Sequence, residues 1–202
     1  MRAWVQRGAS FSGHERNRMF RQVIEDGKRR FEDVSLMSGA DSIQDGRAFA
    51  KVDLDWDGAL DMVLVNSNSP RTELFLNQHS QQQGASLWID LVGAAGPEPQ
   101  EKPGSNRDAV GARVVVQSAS LPDLHRERRA GEGFASQNTR WIHVGLGTDR
   151  AVESIEVRWP SGGVTRLDQA IAANQRIRIY ESSSDSPTRS NLELLGALEG
   201  SR

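Results

Sequence analysis

Between Asp53 and Asp61 the chain reads Asp-Leu-Asp-Trp-Asp-Gly-Ala-Leu-Asp, with carboxylates at positions 1, 3, 5 and 9 of the stretch and Gly58 at position 6. Four carboxylates this close repel one another unless a cation sits among them. A flexible loop offering only oxygen ligands suits Ca²⁺. The spacing assigns the side chains of Asp53, Asp55, Asp57 and Asp61 as ligands, with Ala59 contributing its backbone carbonyl. Gly58 permits the positive φ that a sharp turn around an ion requires. The competing reading is an acidic surface turn that binds nothing.

The flanks separate this loop from an EF-hand, which needs a glutamate at position 12 and helices on both sides. Position 12 is Leu64, inside the β-branched run Asp61-Met-Val-Leu-Val-Asn66, and the strand-like Ala48-Phe-Ala-Lys-Val52 precedes the loop. The expected unit is therefore strand, acidic loop, strand. Trp56, at position 4, is either a packing lid or a contact for a partner or sugar ring. Asn66 and Asn68, just past the loop, read as turn formers rather than ligands.

The chain has 202 residues, enough for one large or two small domains. A net charge of −2, with basic residues dispersed, gives no electrostatic footprint for nucleic acid or an anionic membrane. There is no cysteine, which excludes disulfides, thiolate catalysis and cysteine–zinc sites. No apolar run approaches the ~20 residues of a membrane-spanning helix. The N-terminal Met1-Arg-Ala-Trp-Val-Gln-Arg-Gly8 shows no apolar core of a secretory signal.

Short β-rich runs punctuated by Gly, Asn, Asp and Pro predict an all-β protein. After an N-terminal extension over 1–12, residues 13–78 hold four or five strands, about one propeller blade, with a turn at Glu25-Asp-Gly27. A polar, Gln-rich linker follows over 79–86. Residues 87–181 read as a small antiparallel β-sandwich. Its strands are expected at Leu87–Val92, Ala112–Val116, Trp141–Val144, Val152–Trp159 and Arg176–Tyr180, with a hairpin turn at Ser161-Gly-Gly163. In Leu87–Val92, Leu87, Ile89 and Leu91 alternate onto one face. Residues 182–202 read as a Ser-rich flexible tail in which Asn191–Leu198 suggests a short helix.

Several motifs carry a family resemblance. In the first half they are Phe11-Ser-Gly-His-Glu-Arg-Asn-Arg18, Phe31-Glu-Asp-Val-Ser35, Asp45-Gly-Arg-Ala-Phe-Ala50, the acidic loop and Asn66-Ser-Asn-Ser-Pro-Arg71. In the second half they are Ser105-Asn-Arg-Asp-Ala-Val-Gly-Ala-Arg113, Gly133-Phe-Ala-Ser-Gln137, His143-Val-Gly-Leu-Gly147 and Val157-Arg-Trp-Pro-Ser-Gly162. Together they resemble the C-terminal part of ASPIC/UnbV proteins, the family that includes cartilage acidic protein. The resemblance implies a propeller of FG-GAP (VCBS) repeats joined to a terminal ASPIC/UnbV domain, an extracellular or periplasmic location, and a calcium role for Asp53, Asp55, Asp57, Ala59 and Asp61. This chain departs from the family in having one acidic loop and one blade's worth of strands. A lone blade buries neither face, so missing blades or a partner chain are expected, and the chain reads as a fragment of a larger propeller protein.

Enzymatic chemistry finds little footing. The four histidines, His14, His79, His125 and His143, lie outside any His-Glu-x-x-His pattern, and no Gly-x-Ser-x-Gly elbow is present. His143, beside Trp141, reads as a hydrogen-bonded structural histidine. The expectation is a non-enzymatic calcium-binding β module for binding or adhesion, with no catalytic residues and a protein or carbohydrate ligand. The alternative is an accessory carbohydrate- or partner-binding domain of a larger enzyme or surface assembly, which clustered aromatics in a polar cleft around Trp56 or Trp141 would favour.

Overall fold

The computed structural model describes residues 14–78, 84–95, 104–182 and 191–198. The N-terminal extension, most of the 79–86 linker, Phe11 to Gly13 of the first motif and the serine run of the tail fall outside them. The described chain is almost entirely β. Its single helical turn, α1 (Ser35–Ser38), is a feature that the sequence reading did not anticipate.

Two compact units are present, and the chain passes between them more than once. One takes in the residues up to Val52, Asp61–Leu76 and Gly133–Gln137; the other takes in Asp53–Leu60, Asn77–Glu132 and the residues from Asn138 onward.

In the first unit, β1 (Phe20–Glu25) and β2 (Lys28–Asp33) form an antiparallel hairpin. Its turn falls at the expected place because Asp26 and Gly27 both adopt positive φ, 51° and 71°, matching the twist of a tight hairpin. A separate antiparallel sheet is built from β3 (Gly46–Val52), β4 (Asp61–Asn66) and β5 (Thr72–Phe75). The strands expected of a blade are therefore formed, but in two sheets. The three-stranded sheet leaves apolar side chains exposed on both faces: Val65 and Leu74 on one, Phe49 on the other. At the end of β4, Asn66 Nδ2 donates to Pro70 O at 2.9 Å, and beyond it Asn68 Oδ1 accepts from the Asp45 amide at 3.1 Å. Both asparagines shape the turn, as read from sequence.

The second unit holds a two-sheet sandwich. One sheet runs β12 (Val164–Leu167), β11 (Ser154–Arg158), β7 (Arg113–Gln117), β8 (Leu124–Glu127), all antiparallel. The other runs β15 (Leu192–Ala197), β14 (Gln175–Tyr180), β6 (Ala85–Val92), β9 (Ile142–Gly147). Within it the β6–β14 pair is parallel, so the second sheet is mixed. A short pair, β10 (Ala151–Val152) with β13 (Ile171–Ala172), completes the unit. Alternate residues of both sheets meet in one core: Leu87, Ile89, Leu91, Val144, Ile177 and Ile179 from one side, Val114, Val116, Ile155 and Val157 from the other.

One expectation needs correction. In place of the helix expected over Asn191–Leu198, Leu192–Ala197 form strand β15. Eight residues are too few to sustain a helix alone, whereas the edge of β14 offers a ladder and Leu192 packs against the core. In strand β6, Leu87, Ile89 and Leu91 share the core face as expected, and the opposite face, carrying Trp88 and Asp90, is buried too.

Candidate metal centre

The acidic loop joins β3 to β4, whose last ladder pair is Val52 with Asp61, so the hairpin brings the two ends of the nonapeptide together. Carboxylate oxygens of Asp53, Asp55 and Asp61 lie within 4.8 Å of one another. Asp53 and Asp61 are buried at 3 % and 2 % exposure, while Asp55 is exposed. Asp57 stays outside this group; its Oδ1 accepts the Ala59 amide at 2.8 Å, the local turn that spaces the carboxylates. Of the five residues assigned from sequence, three therefore converge, and Asp57 and Ala59 are engaged with each other.

Backbone geometry follows the same logic. Gly58 has φ 95°, the conformation expected of position 6, and its amide donates to Asp53 Oδ2 at 3.0 Å. The other oxygen, Asp53 Oδ1, is buried with no hydrogen-bond partner. An orphaned buried carboxylate oxygen is costly, and a cation is the partner that fits its chemistry. Burial pushes the Asp53 carboxyl up to about 6, with the charges of Asp57 and Asp55 adding to the rise against the Gly58 hydrogen bond. A cation would reverse that balance. Three carboxylates, one of them holding a vacant lone pair, make an all-oxygen donor set for a hard cation, and the residues fit Ca²⁺.

The loop also packs within its own unit, on the outer face of β6. Trp56, with φ 58°, stands edge-on to Trp88 (centroids 5.9 Å, 70°) and to Trp141 (5.6 Å, 84°). The Arg176 guanidinium lies 4.7 Å from the centre of the Trp56 ring. The Gly58 carbonyl oxygen accepts from Ser86 Oγ at 3.1 Å and sits 3.1 Å from His143 Nε2. A carbonyl can only accept, so that nitrogen carries a proton. His143 is also 4.7 Å from Trp88, centroid to centroid. The histidine read as structural is thus hydrogen-bonded, to the backbone of the acidic loop. Sequence reasoning singled out Trp56 but not Trp88, Ser86 or Arg176. The available signal was Trp88 itself, an aromatic on the face of β6 opposite Leu87, Ile89 and Leu91.

Fold and site together define an all-β protein in which a two-sheet sandwich carries a carboxylate loop on its outer face. The ASPIC and UnbV family model matches residues 102–186, so the chain carries an ASPIC/UnbV domain and that stretch belongs to the family. The match spans β7 to β14; the central strand β6 and the acidic loop lie before it. No curated protein matches the chain. Among the described residues, no helix is long and apolar enough to cross a membrane.

Proposed function

We propose that the chain is a non-enzymatic, calcium-binding β module for binding or adhesion outside the cytoplasm, and that it works as part of a larger propeller-type assembly. The convergence of Asp53, Asp55 and Asp61 around the unpartnered Asp53 Oδ1 carries the reading. Calcium would neutralise the loop and pin the ends of β3 and β4, tying metal binding to local folding. Resemblance of the first half to FG-GAP repeats and of the second to secreted family members supports an extracellular or periplasmic setting. Millimolar Ca²⁺ there fills even sites of modest affinity. The apolar side chains left exposed on both faces of the β3–β4–β5 sheet support docking against further blades or a partner chain. Against the alternative of a carbohydrate-binding accessory domain stands the packing of Trp56, whose ring is engaged by Trp88, Trp141 and Arg176 rather than lining a polar cleft.

Thermal unfolding of chelator-stripped protein tests the proposal. Millimolar Ca²⁺ should raise Tm, by the equivalent of about 2.7 kcal/mol at a hundredfold excess over Kd, while Mg²⁺ should not. An unchanged Tm with Ca²⁺ would reduce the loop to an acidic turn.

A further inference from the structure

Gly58 is bonded on both sides. Its amide holds Asp53 Oδ2 at 3.0 Å, and its carbonyl is held by Ser86 and His143, which belong to β6 and β9 of the sandwich. Two residues earlier, Trp56 sits between Asp55 and Asp57 in sequence and is clamped by Trp88, Trp141 and Arg176. A tryptophan at φ 58° occupies a region that costs a non-glycine residue about 1 kcal/mol or more, and it persists only where its surroundings hold it. The carboxylates therefore cannot move apart without moving the groups that bind the sandwich face.

From this we infer that cation uptake by the acidic loop and docking of Trp56 and Gly58 on the outer face of β6 are one coupled equilibrium. Ser86, His143 and Arg176 set the cation affinity although none is a ligand. The inference rests on the calcium reading above and adds its control. Docking preassembles Asp53 and Asp55, so a loop that is docked only part of the time binds with its affinity reduced to that fraction of the docked value. By reciprocity, a bound cation tightens docking by the same factor. The sandwich face thus acts as the receptor for the loop, and Ca²⁺ reports on whether that receptor is engaged. Positioning groups that orient ligands from outside the coordination shell commonly change metal affinity by about 10–100-fold.

Calorimetric titration of the full, chelator-stripped chain with CaCl₂ tests it, paired with tryptophan fluorescence in the same titration. The parent should bind Ca²⁺ with a change in tryptophan emission, because Trp56 tightens against Trp88 and Trp141. His143→Gln combined with Ser86→Ala should weaken binding at least about tenfold while the β circular-dichroism signal is retained. Arg176→Gln, which leaves the Gly58 hydrogen bonds intact, should weaken it in the same direction and serves if the double variant does not fold. Folded variants that bind Ca²⁺ with the parental Kd would overturn the coupling and leave the calcium site standing. A Ca²⁺-binding parent whose emission does not change would also overturn it. A parent that takes up no Ca²⁺ would overturn the calcium reading itself, and this inference with it.

Discussion

Asp90 and Arg178 are directly paired across the parallel ladder of β6 and β14, and Arg178 Nε donates to Asp90 Oδ2 at 2.8 Å. The other carboxylate oxygen, Oδ1, is bound by Arg140 Nε at 2.8 Å and by the same guanidinium again at 2.7 Å. Asp90 is 1 % exposed, yet both guanidiniums reach solvent, so the charge is buried on one side of the pair only. Removing the carboxylate would leave two arginines facing each other on the outer sheet surface. Asp90→Ala should destabilise the sandwich by roughly 2–3 kcal/mol, somewhat below the range for fully buried pairs because the arginines can turn to water. Urea denaturation monitored by circular dichroism measures it; a change under about 0.5 kcal/mol would mean that the pairs add nothing.

Asp55 and Asp57 each accept the amide two residues on, from Asp57 at 3.3 Å and from Ala59 at 2.8 Å, but only Asp55 joins the three-carboxylate group. Asp55 is exposed and contributes an oxygen to the three-carboxylate group, while Asp57 holds the Ala59 amide. Asp55→Ala should lower Ca²⁺ affinity by at least about tenfold, or 1.4 kcal/mol, and leave the sandwich folded. Asp57→Asn retains an oxygen acceptor for Ala59 and should lower affinity less. Parallel calorimetric titrations rank the two. Parental affinity in Asp55→Ala would remove it from the ligand set.

Gly93, just past β6, is a position where backbone meets backbone. Its amide donates to Arg107 O at 3.0 Å, and a Cβ there would lie 2.1 Å from Asn106 O and 2.4 Å from Ser105 O. Neither oxygen can yield without breaking the ladder that holds 104–107 against the end of β6. Gly93→Ala should cost roughly 1–3 kcal/mol or more. Gly84→Ala is the control, since its nearest neighbour would be Gly147 O at 3.8 Å, and it should change Tm little. Equal effects at both glycines would refute the close-approach argument.

Local patterns made much of this legible. β4 occupies the β-branched run Asp61–Asn66, and the Asp26-Gly27 turn and the hairpin after Trp159 fall where their residue types put them. Elements whose residues serve a distant partner were hidden. β8 reads Leu-His-Arg-Glu, a pattern that suits a solvated loop as well as an exposed strand face, and it is an edge strand paired on one side only. β15 carries leucines at spacings that suit a helix as well as a strand, and pairing with β14 decides between them. In the loop, the Asp spacing marked out the carboxylates, of which Asp53, Asp55 and Asp61 converge, but nothing local placed Trp56 beside Trp88, Trp141 and Arg176. Those contacts join residues far apart in sequence, and only the folded sheet brings them together.

Asp53 and Glu181 should give the metal-free protein opposite responses to acid. Glu181 is pushed up by burial, but hydrogen bonds from Ser161, the Ala94 amide and both the amide and hydroxyl of Ser105 outweigh that and hold its carboxyl below the usual value. A depressed folded value means that Glu181 stabilises above about pH 4.5, its ordinary value, and that this contribution fades as pH falls further. Asp53 is the reverse: folded, it keeps its proton up to about pH 6 against 3.8 when unfolded, so the folded chain binds the extra proton between those limits. Stability from Asp53 is therefore full below pH 3.8 and lost as pH rises through about 6. Urea titrations in chelator at pH 4, 5, 6 and 7 should show this decline in the parent and not in Asp53→Asn, while Glu181→Gln should flatten the loss below about pH 4.5. Adding Ca²⁺ at pH 7 should offset the Asp53 penalty, because the cation takes the place of the proton. A parent and an Asp53→Asn variant with the same slope from pH 4 to 6 would show that the buried carboxylate is stabilised by some group other than a cation.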